Sequence, residues 1–232
     1  MSDSNDAVFS SVVLNRTLDR SDVLGLTLAG PAHLIDCDLA GAALEGMDLV
    51  GWKFERCDLR RAGLAGATLE GTTWRSCRAG FCDMVGVDLT EAVFVASDLS
   101  NGVLRRSKLI DASFSGCRLT GADLSESRTS GITFEETLLI GATMPGLSFH
   151  KGHLNRLDLS QADVRGCDFR ETTFQQSSLR EADVRGARFA GADLREVDLG
   201  GLSIDDARLF RGARISIGQA GDLLRELGLI IG

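Results

Sequence analysis

Residues 37–51 read CDLAG, AALEG and MDLVG, three consecutive units of five residues with leucine at the centre of each. The same spacing continues from Leu34 to Leu209, and of these 36 central positions only Ala79 and Thr129 are not large and apolar. With the central residue called i, position i−2 is mostly small, position i−1 is Asp 13 times, and position i+2 is Gly 15 times. This period of five decides the architecture of the chain.

A period of five fits neither an α-helix nor a continuous strand. On a helix, five residues turn the apolar stripe by roughly 140°, so no single face would be apolar. On a strand, residues i and i+5 point to opposite sides of the sheet. The chain must therefore turn after each unit, and Gly at i+2 suits a turn that needs positive φ. The sequence thus predicts a coil with short sides and an apolar interior.

The number of sides follows from the aromatic residues at central positions. One column, whose members are separated by four units or a multiple of four, holds Phe54, Trp74, Phe94, Phe114, Phe134 and Phe174. A second column with the same spacing holds Phe149, Phe169 and Phe189. Recurrence at every fourth unit means four units per turn. We therefore expect an all-β solenoid with four sides, in which each coil stacks on its neighbours.

The unit Ala-Asp-Leu-x-Gly, repeated over roughly residues 9–214, resembles the pentapeptide-repeat family. The resemblance implies a right-handed quadrilateral β-helix. The unbroken frame after Leu34 predicts one domain over residues 7–214 without inserted loops, in which residues 7–33 form an imperfect first coil or cap. Residues 1–6 are expected to be disordered.

Residues 215–232 are predicted to form a short C-terminal α-helix and an apolar tail. Ser216 followed by Gln219 has the pattern of a capping box, and leucines follow at helical spacing. These residues either cap the last coil or form a two-fold dimer contact, and we favour the dimer. The interface residues predicted are Leu223, Leu224, Leu227, Leu229 and Ile230.

Two positions depart from the frame. At Ala79 the central residue is small and Phe81 follows at i+2. We expect a bulge that swings Phe81 inward, and the alternative is that Phe81 is an exposed contact residue. At Thr129 the central residue is polar, and its hydroxyl is expected to bond a backbone carbonyl.

Composition limits the partners of the chain. A net charge of −8 and a pI of about 4.9 argue against direct binding of nucleic acid. No apolar stretch of about 18 residues is present and the N-terminus does not read as a signal peptide, so a soluble cytoplasmic protein without membrane contact is expected. All six cysteines sit at i−2, which predicts small, buried, reduced thiols.

No constellation of catalytic or metal-binding residues is apparent, so we expect a protein that is not an enzyme and binds no cofactor or metal. The three histidines are isolated in the repeat, and no C-x-x-C spacing occurs.

Charge is distributed unevenly over the four sides. Each side comprises a column of central residues with their neighbours at i−1, i+1 and i+2, and is named here by an early member of its column. The Leu44 face carries four arginines against eight acids: Glu45, Asp83, Asp123, Glu126, Asp163, Asp183, Asp205 and Asp206. The Leu49 face is neutral overall. The Leu44 face is therefore the predicted partner-binding acidic face. The alternative role for the aspartates at i−1 is to bond backbone amides at the turns.

Within the family, residues 212–220, the leucine-rich helix and the Gly228-Leu229 end resemble the dimerisation tail of the MfpA and Qnr type. That resemblance implies a homodimeric rod that mimics DNA and binds a type II topoisomerase, DNA gyrase or topoisomerase IV. Such proteins protect the enzyme from quinolones, and the absence of projecting loops is closer to the MfpA form, which inhibits gyrase. Self-immunity of an antibiotic producer is a related possibility. The alternative is a structural or adaptor rod that binds another protein.

Overall fold

The computed structural model describes residues 9–201, 208–226 and 229–230. One side of the molecule is a nine-stranded parallel sheet in which each strand pairs with the next along the chain. From β2 onward each strand pairs with the strand four units later, so Leu34 pairs with Phe54 and Phe54 with Trp74. Isolated bridges with the same four-unit spacing hold the other sides. The predicted right-handed quadrilateral β-helix is confirmed.

The strands are short because the chain turns after every unit. The sheet comprises β1 (Ser11–Leu14), β2 (Ala32–Ile35), β3 (Lys53–Glu55), β4 (Thr73–Arg75), β5 (Val93–Val95), β6 (Ser113–Ser115), β7 (Thr133–Glu135), β8 (His153–Asn155) and β9 (Thr173–Gln175). A second pair is formed by β10 (Ser177–Ser178) and β11 (Val197–Asp198). The helices are α1 (Arg20–Thr27) and α2 (Ile217–Glu226).

Aromatic rings stack inside the sheet wall, as the column predicts. Phe54 and Trp74 have ring centroids 4.4 Å apart, and Phe94 and Phe114 are 4.7 Å apart. All four side chains are buried. Each ring therefore packs on its counterpart one coil away, which buries its apolar surface between neighbouring coils.

The turns are left-handed at position i+2, whether or not that residue is glycine. Between Asp36 and Gly201 every residue at i+2 has positive φ except Glu196. The residues other than glycine have φ between +48° and +61°. The backbone therefore imposes this conformation on side chains that seldom adopt it, because each turn must aim the next central residue inward.

The N-terminal segment, expected as an imperfect first coil or cap, contains a helix. Residues 20–27 form α1, which the sequence analysis does not predict. Asp19 caps the helix in a capping box with Asp22, and Val23 is fully buried. Leu28 is 87% exposed at the end of the helix. α1 thus covers the N-terminal end of the core, which an open solenoid needs.

At the other end, α2 begins with the predicted capping box. The Ser216 amide donates to Gln219 Oε1 at 2.6 Å, and the Gln219 amide donates to Ser216 Oγ at 3.2 Å. The Gln219 side-chain amide also donates to the carbonyls of Leu194 and Val197, at 2.6 and 2.7 Å. These carbonyls belong to the last coil, so α2 satisfies its open edge.

The prediction for Phe81 was wrong. Ala79 keeps the central position and is fully buried, while the Phe81 ring points outward and is 55% exposed. Phe81 has φ of +60°, and the Arg61 guanidinium lies over its ring, 5.1 Å from the centroid. The reason is that the left-handed backbone at i+2 directs its side chain away from the coil, whatever the residue.

At Thr129 the side chain is half-buried at the surface of the core, and within the described residues no hydrogen bond from its hydroxyl to a backbone carbonyl is present. The expected bond is formed instead by hydroxyls at i−2. Ser127 Oγ donates to the Leu104 carbonyl at 2.7 Å, and Thr137 Oγ1 donates to the Phe114 carbonyl at 3.2 Å.

The six cysteines are buried free thiols, as predicted. Burial raises the pKa of the Cys82 and Cys167 thiols to about 12. Because the thiolate is the reactive form, these side chains behave as small apolar core residues near neutral pH.

Candidate partner-binding surfaces

The aspartates at i−1 hold the turns. In all 13 cases a carboxylate oxygen accepts a hydrogen bond from the backbone amide two residues later, at 2.9 to 3.3 Å. The residues are Asp38, Asp48, Asp58, Asp83, Asp88, Asp98, Asp123, Asp158, Asp163, Asp168, Asp183, Asp193 and Asp198. The structural role considered as the alternative is therefore confirmed. Their abundance alone does not indicate a binding site.

The structure places six of the eight predicted acidic-face residues on the outside of the Leu44 column. Asp205 and Asp206 lie outside the described residues. Four of the six acids form ion pairs: Glu45 with Arg20, Glu126 with Arg106, Asp163 with Arg165, and Asp183 with Arg185. Arg20 comes from α1, so the helix that the sequence did not predict neutralises part of this face.

These pairs lower the pKa of the carboxyl groups that they hold. The hydrogen bond from Arg106 lowers the pKa of Glu126, and hydrogen bonds from Arg165 and Arg185 lower the pKa of Asp163 and Asp183. The carboxylates are thus ionised but locally compensated.

Two acids of the Leu44 face differ from the rest. In the described part of this face, Asp83 and Asp123 are the two carboxylates without an ion-pair partner. With Arg20 included, that part carries six acids against five arginines. Half of the charge excess counted from the sequence therefore resides in Asp205 and Asp206, and Arg20 offsets part of the rest.

The neutral Leu49 face is strongly polarised. Its N-terminal half, residues 48–111, has one base, Lys108, against five acids: Asp48, Glu70, Asp88, Glu91 and Asp111. Its C-terminal half has two acids, Asp168 and Glu171, against six bases: Arg128, Lys151, Arg170, Arg188, Arg208 and Arg211. Summing the charge over the whole column conceals this separation. Reading the charges coil by coil would have found it.

The C-terminal helix presents a second unpartnered surface. Gln219 and the half-buried Leu223 face the last coil, whereas Leu224 is 41% exposed. In the tail, Leu229 is 52% and Ile230 is 98% exposed. Leu227, also predicted in the interface, lies outside the described residues. Ile217, not predicted there, is 94% exposed, one residue after the helix cap.

Neither a metal site nor a membrane span is found in the ranges that the structure describes. Those residues contain no group of three His, Cys, Asp or Glu side chains placed to bind a metal ion. Their helices are too short or too polar to cross a bilayer.

Sequence and structure comparisons give consistent results. The family model for pentapeptide repeats (8 copies) matches residues 33–73, 82–125 and 117–156, and the model for a pentapeptide repeat region matches residues 139–209. A search of curated proteins gives no significant match.

Among solved structures, full-length QnrB1, a plasmid-mediated fluoroquinolone resistance protein, matches with a TM-score of 0.61 and 22% identity over 95% of this chain and 99% of that chain. A trypsin-treated variant of QnrB1 matches with a TM-score of 0.58 and 22% identity over 97% and 99% of the two chains. At this identity the likeness establishes the fold. Together with the repeat matches, it shows that the chain belongs to the pentapeptide-repeat family.

Proposed function

We propose that this protein is a non-enzymatic, DNA-mimicking cytoplasmic rod that binds a type II topoisomerase and modulates it or protects it from quinolones or another gyrase-directed antibiotic. The observation that carries the proposal is the fold, which matches QnrB1 over 99% of its length. Nine coils at ~4.8 Å give a rod of roughly 43 Å. A net charge of −8 on such a rod suits a basic groove that normally holds DNA.

The contact surface we propose is the Leu44 face extended around its edge onto the acidic half of the Leu49 face. Asp83 and Asp123 have no ion-pair partner in the described part of the chain, and Glu70 and Glu91 lie on the adjoining side with the same sign of charge. Binding through such a surface would be steered by long-range attraction and would weaken as salt rises.

The test is a gyrase and topoisomerase IV supercoiling and relaxation assay, with and without a fluoroquinolone. We expect the purified protein to change activity or drug sensitivity at low salt and micromolar concentration. The variant Glu126→Lys should weaken that effect, because it reverses charge on the acidic face.

The chain offers a matched control for this variant. Glu136 also occupies i+2 with positive φ, and it pairs with Arg156 of an adjacent coil, as Glu126 pairs with Arg106. It lies on the opposite Leu34 face. If Glu126→Lys and Glu136→Lys weaken the effect on the topoisomerase equally, the acidic face is not the contact surface. No effect of the unaltered protein on either enzyme would remove topoisomerase binding.

Asp123→Lys reverses a charge that has no ion-pair partner in the described part of the chain, but it changes more than the charge. Asp123 accepts hydrogen bonds from both the amide and the hydroxyl of Ser125, so its replacement also disturbs a turn. Its interpretation needs a thermal unfolding measurement on the same sample.

We also propose that the protein is a homodimer joined through α2 and the tail. The apolar side chains exposed there, Ile217, Leu224, Leu229 and Ile230, form the surface that a second copy would cover. Sedimentation of the full chain should give a dimer at micromolar concentration, and Leu224→Asp should give a monomer.

Leu28→Asp is the control, because Leu28 is 87% exposed at the other end of the rod. Deleting residues 216–232 should give a monomer or an aggregate, since it also removes the Gln219 cap. A monomeric full-length protein at that concentration contradicts the dimer.

A second candidate is an adaptor rod that binds another protein through its Leu39 face. It is favoured by Phe81, an exposed aromatic ring under the Arg61 guanidinium, since aromatic and arginine side chains dominate protein contacts. If Phe81→Gly abolishes binding of a partner protein and leaves the effect on topoisomerase unchanged, this function is favoured.

A further inference from the structure

Along the Leu49 face, the ladder of hydrogen bonds between coils is interrupted once within residues 46–193. On the coil before the interruption, five backbone bonds reach the next coil, including Leu109 N–H to the Arg128 carbonyl at 2.7 Å and Asp111 N–H to the Ser130 carbonyl at 2.8 Å. On the coil after it, the same five bonds are present, including Phe149 N–H to the Asp168 carbonyl at 2.8 Å. Between residues 126–133 and 145–153, none of the five is formed. We call this gap the slit.

The slit leaves two edges of parallel β-structure facing each other. One edge presents the amides of Glu126, Thr129 and Gly131 and the carbonyls of Ser127 and Ile132. The other edge presents the amides of Ser148 and His153 and the carbonyls of Pro145, Ser148 and His150. In the described part of the chain, no backbone group bonds any of these. Beyond the slit, on the Leu34 face, strand pairing between these two coils resumes at Glu135 with Asn155.

The interior also differs at the slit. Thr129 is the one polar residue in the central series, and it stands directly before Phe149 in its column. The neighbouring central side chains are slightly less enclosed: Phe149 is 5% and Leu154 is 4% exposed, whereas most central residues are fully buried. Thr129 has the smallest side chain of its column, so the missing bonds coincide with the least filled position of this face.

The resulting cavity has a volume of about 620 Å³. Its lining combines apolar side chains, among them Phe134, Phe149 and Leu154, with polar ones, among them Thr129 and His150. Of the described residues that line it, none is acidic. It opens on the basic half of the Leu49 face, where Arg128 has no ion-pair partner among the described side chains.

We propose that the slit binds an extended acidic segment of a partner protein, which adds a short β-strand to its open edge. The unpaired backbone groups fit a strand, because a strand supplies amides and carbonyls at the same spacing. The space before Phe149 fits one bulky apolar side chain, in the place that Thr129 leaves empty. The unpaired Arg128 guanidinium beside the slit favours an acidic flanking residue, whereas Lys151 already pairs with Glu171. The preferred segment therefore combines one bulky apolar residue with acidic neighbours, as the sequence EADL does.

The proposal is independent of topoisomerase binding and is tested with synthetic peptides. The probe is fluorescein-labelled EADLSE, and the control peptide is EADSSE, which lacks the apolar residue. Fluorescence anisotropy with the full chain should show binding at least tenfold tighter for EADLSE. Equal binding of the two peptides, or no saturable binding up to millimolar concentration, overturns the proposal.

The matched protein variants are Thr129→Leu and Ala79→Leu. The first fills the slit and should weaken EADLSE binding at least tenfold. The second enlarges the other small central residue, which lies in an intact ladder, and should leave peptide binding unchanged. Retained binding by Thr129→Leu places the peptide elsewhere and overturns the proposal.

Hydrogen exchange on the unaltered protein gives a measurement that does not depend on any variant folding. Amides of Thr129 and Gly131 should exchange much faster than those of Leu109 and Asp111, one coil earlier. Addition of EADLSE should slow the first pair and leave the second unchanged. Equal protection of both pairs without peptide shows that the slit is closed in solution, which also overturns the proposal.

Discussion

The coil that contains Ala79 and the coil that contains Thr129 both lack a bulky central residue, yet only the second one opens. Around Ala79 the ladder is complete: its amide donates to the Asp98 carbonyl at 2.6 Å, and the Phe81 amide donates to the Ser100 carbonyl at 2.9 Å. Around Thr129 the corresponding bonds are missing.

The difference lies in what else fills each coil. Trp74 stands five residues before Ala79, is fully buried, and donates its indole N–H to Thr72 Oγ1 at 3.0 Å. A large neighbour therefore accompanies the small one. Thr129 has Leu124 and Phe134 on either side in the series, as an ordinary coil would, and no larger residue compensates. The fold thus depends on the filling of each coil as a whole, because protein interiors are close-packed.

The largest expected effect compares an aromatic residue in the closed ladder with one beside the slit. Phe114 is 1% exposed and stacks on both sides, at 4.7 and 5.2 Å. Phe114→Ala should lower the free energy of unfolding by ~3–5 kcal/mol. Phe149 stacks on Phe169 at 5.1 Å but has Thr129 on its other side, so Phe149→Ala should cost less. Urea denaturation measures the free energy of unfolding of both variants. Equal losses from the two substitutions would contradict an open slit.

The next prediction compares two substitutions that should change the free energy of unfolding in opposite directions. Thr129→Leu adds apolar volume where there is space, and should raise the free energy of unfolding by about 1–2 kcal/mol. Ala79→Leu adds the same volume to a filled coil, and should lower it by about 1–3 kcal/mol. Thermal and urea unfolding of the two variants check the signs. Destabilisation by both would show that the Thr129 coil is already full.

A smaller effect tests the intact coil that follows the slit. Asp168 is buried, and the hydrogen bond from Arg170, with further help from Arg188, lowers its pKa to about 2. Since the pKa is lower in the folded state, the stabilisation is present above the unfolded pKa of about 4 and is lost as the pH falls through about 2.

Asp168→Asn should therefore cost about 1–2 kcal/mol at pH 7 and little below pH 2. Asp48→Asn is the control, since Asp48 holds the same type of turn on the same face, with no ion-pair partner in the described structure. A loss at Asp168 that does not change between pH 7 and pH 2 would indicate that only its turn hydrogen bond contributes.

The smallest effect concerns Phe81, beside Ala79. Phe81→Gly relieves a side chain at φ +60° and removes the contact with Arg61, two changes of opposite sign. The free energy of unfolding should change by less than about 1 kcal/mol. A loss of several kcal/mol, in urea unfolding, would mean that the ring supports the Ala79 coil from outside.

Much of the molecule could be predicted from the sequence because the repeat is local and strict. A period of five with columns at every fourth unit predicts the four sides, the aromatic stack and the buried thiols, since each coil contacts only its neighbours. The capping box at Ser216 is likewise predictable, because it involves residues three apart.

Where the sequence-based prediction failed, the outcome depended on contacts between distant residues. The described acids of the Leu44 face lie on one side, as the frame predicts, but the pairing of Glu45 with Arg20 requires α1, whose existence no frame indicates. The volume missing at Ala79 led to the expectation that Phe81 points inward. The direction of a side chain at i+2 is instead set by the left-handed backbone.

The sequence by itself determined the coil, its four sides, its apolar interior and the position of the two irregular residues. Only the tertiary structure decided which of the two irregularities opens the wall, because the answer depends on whether Trp74 or another neighbour occupies the space. It also decided which acids remain unpaired, because ion pairs form between adjacent coils and with α1. The period follows from the order of residues along the chain, whereas the filling of the core and the pairing of charges depend on contacts between residues distant in sequence.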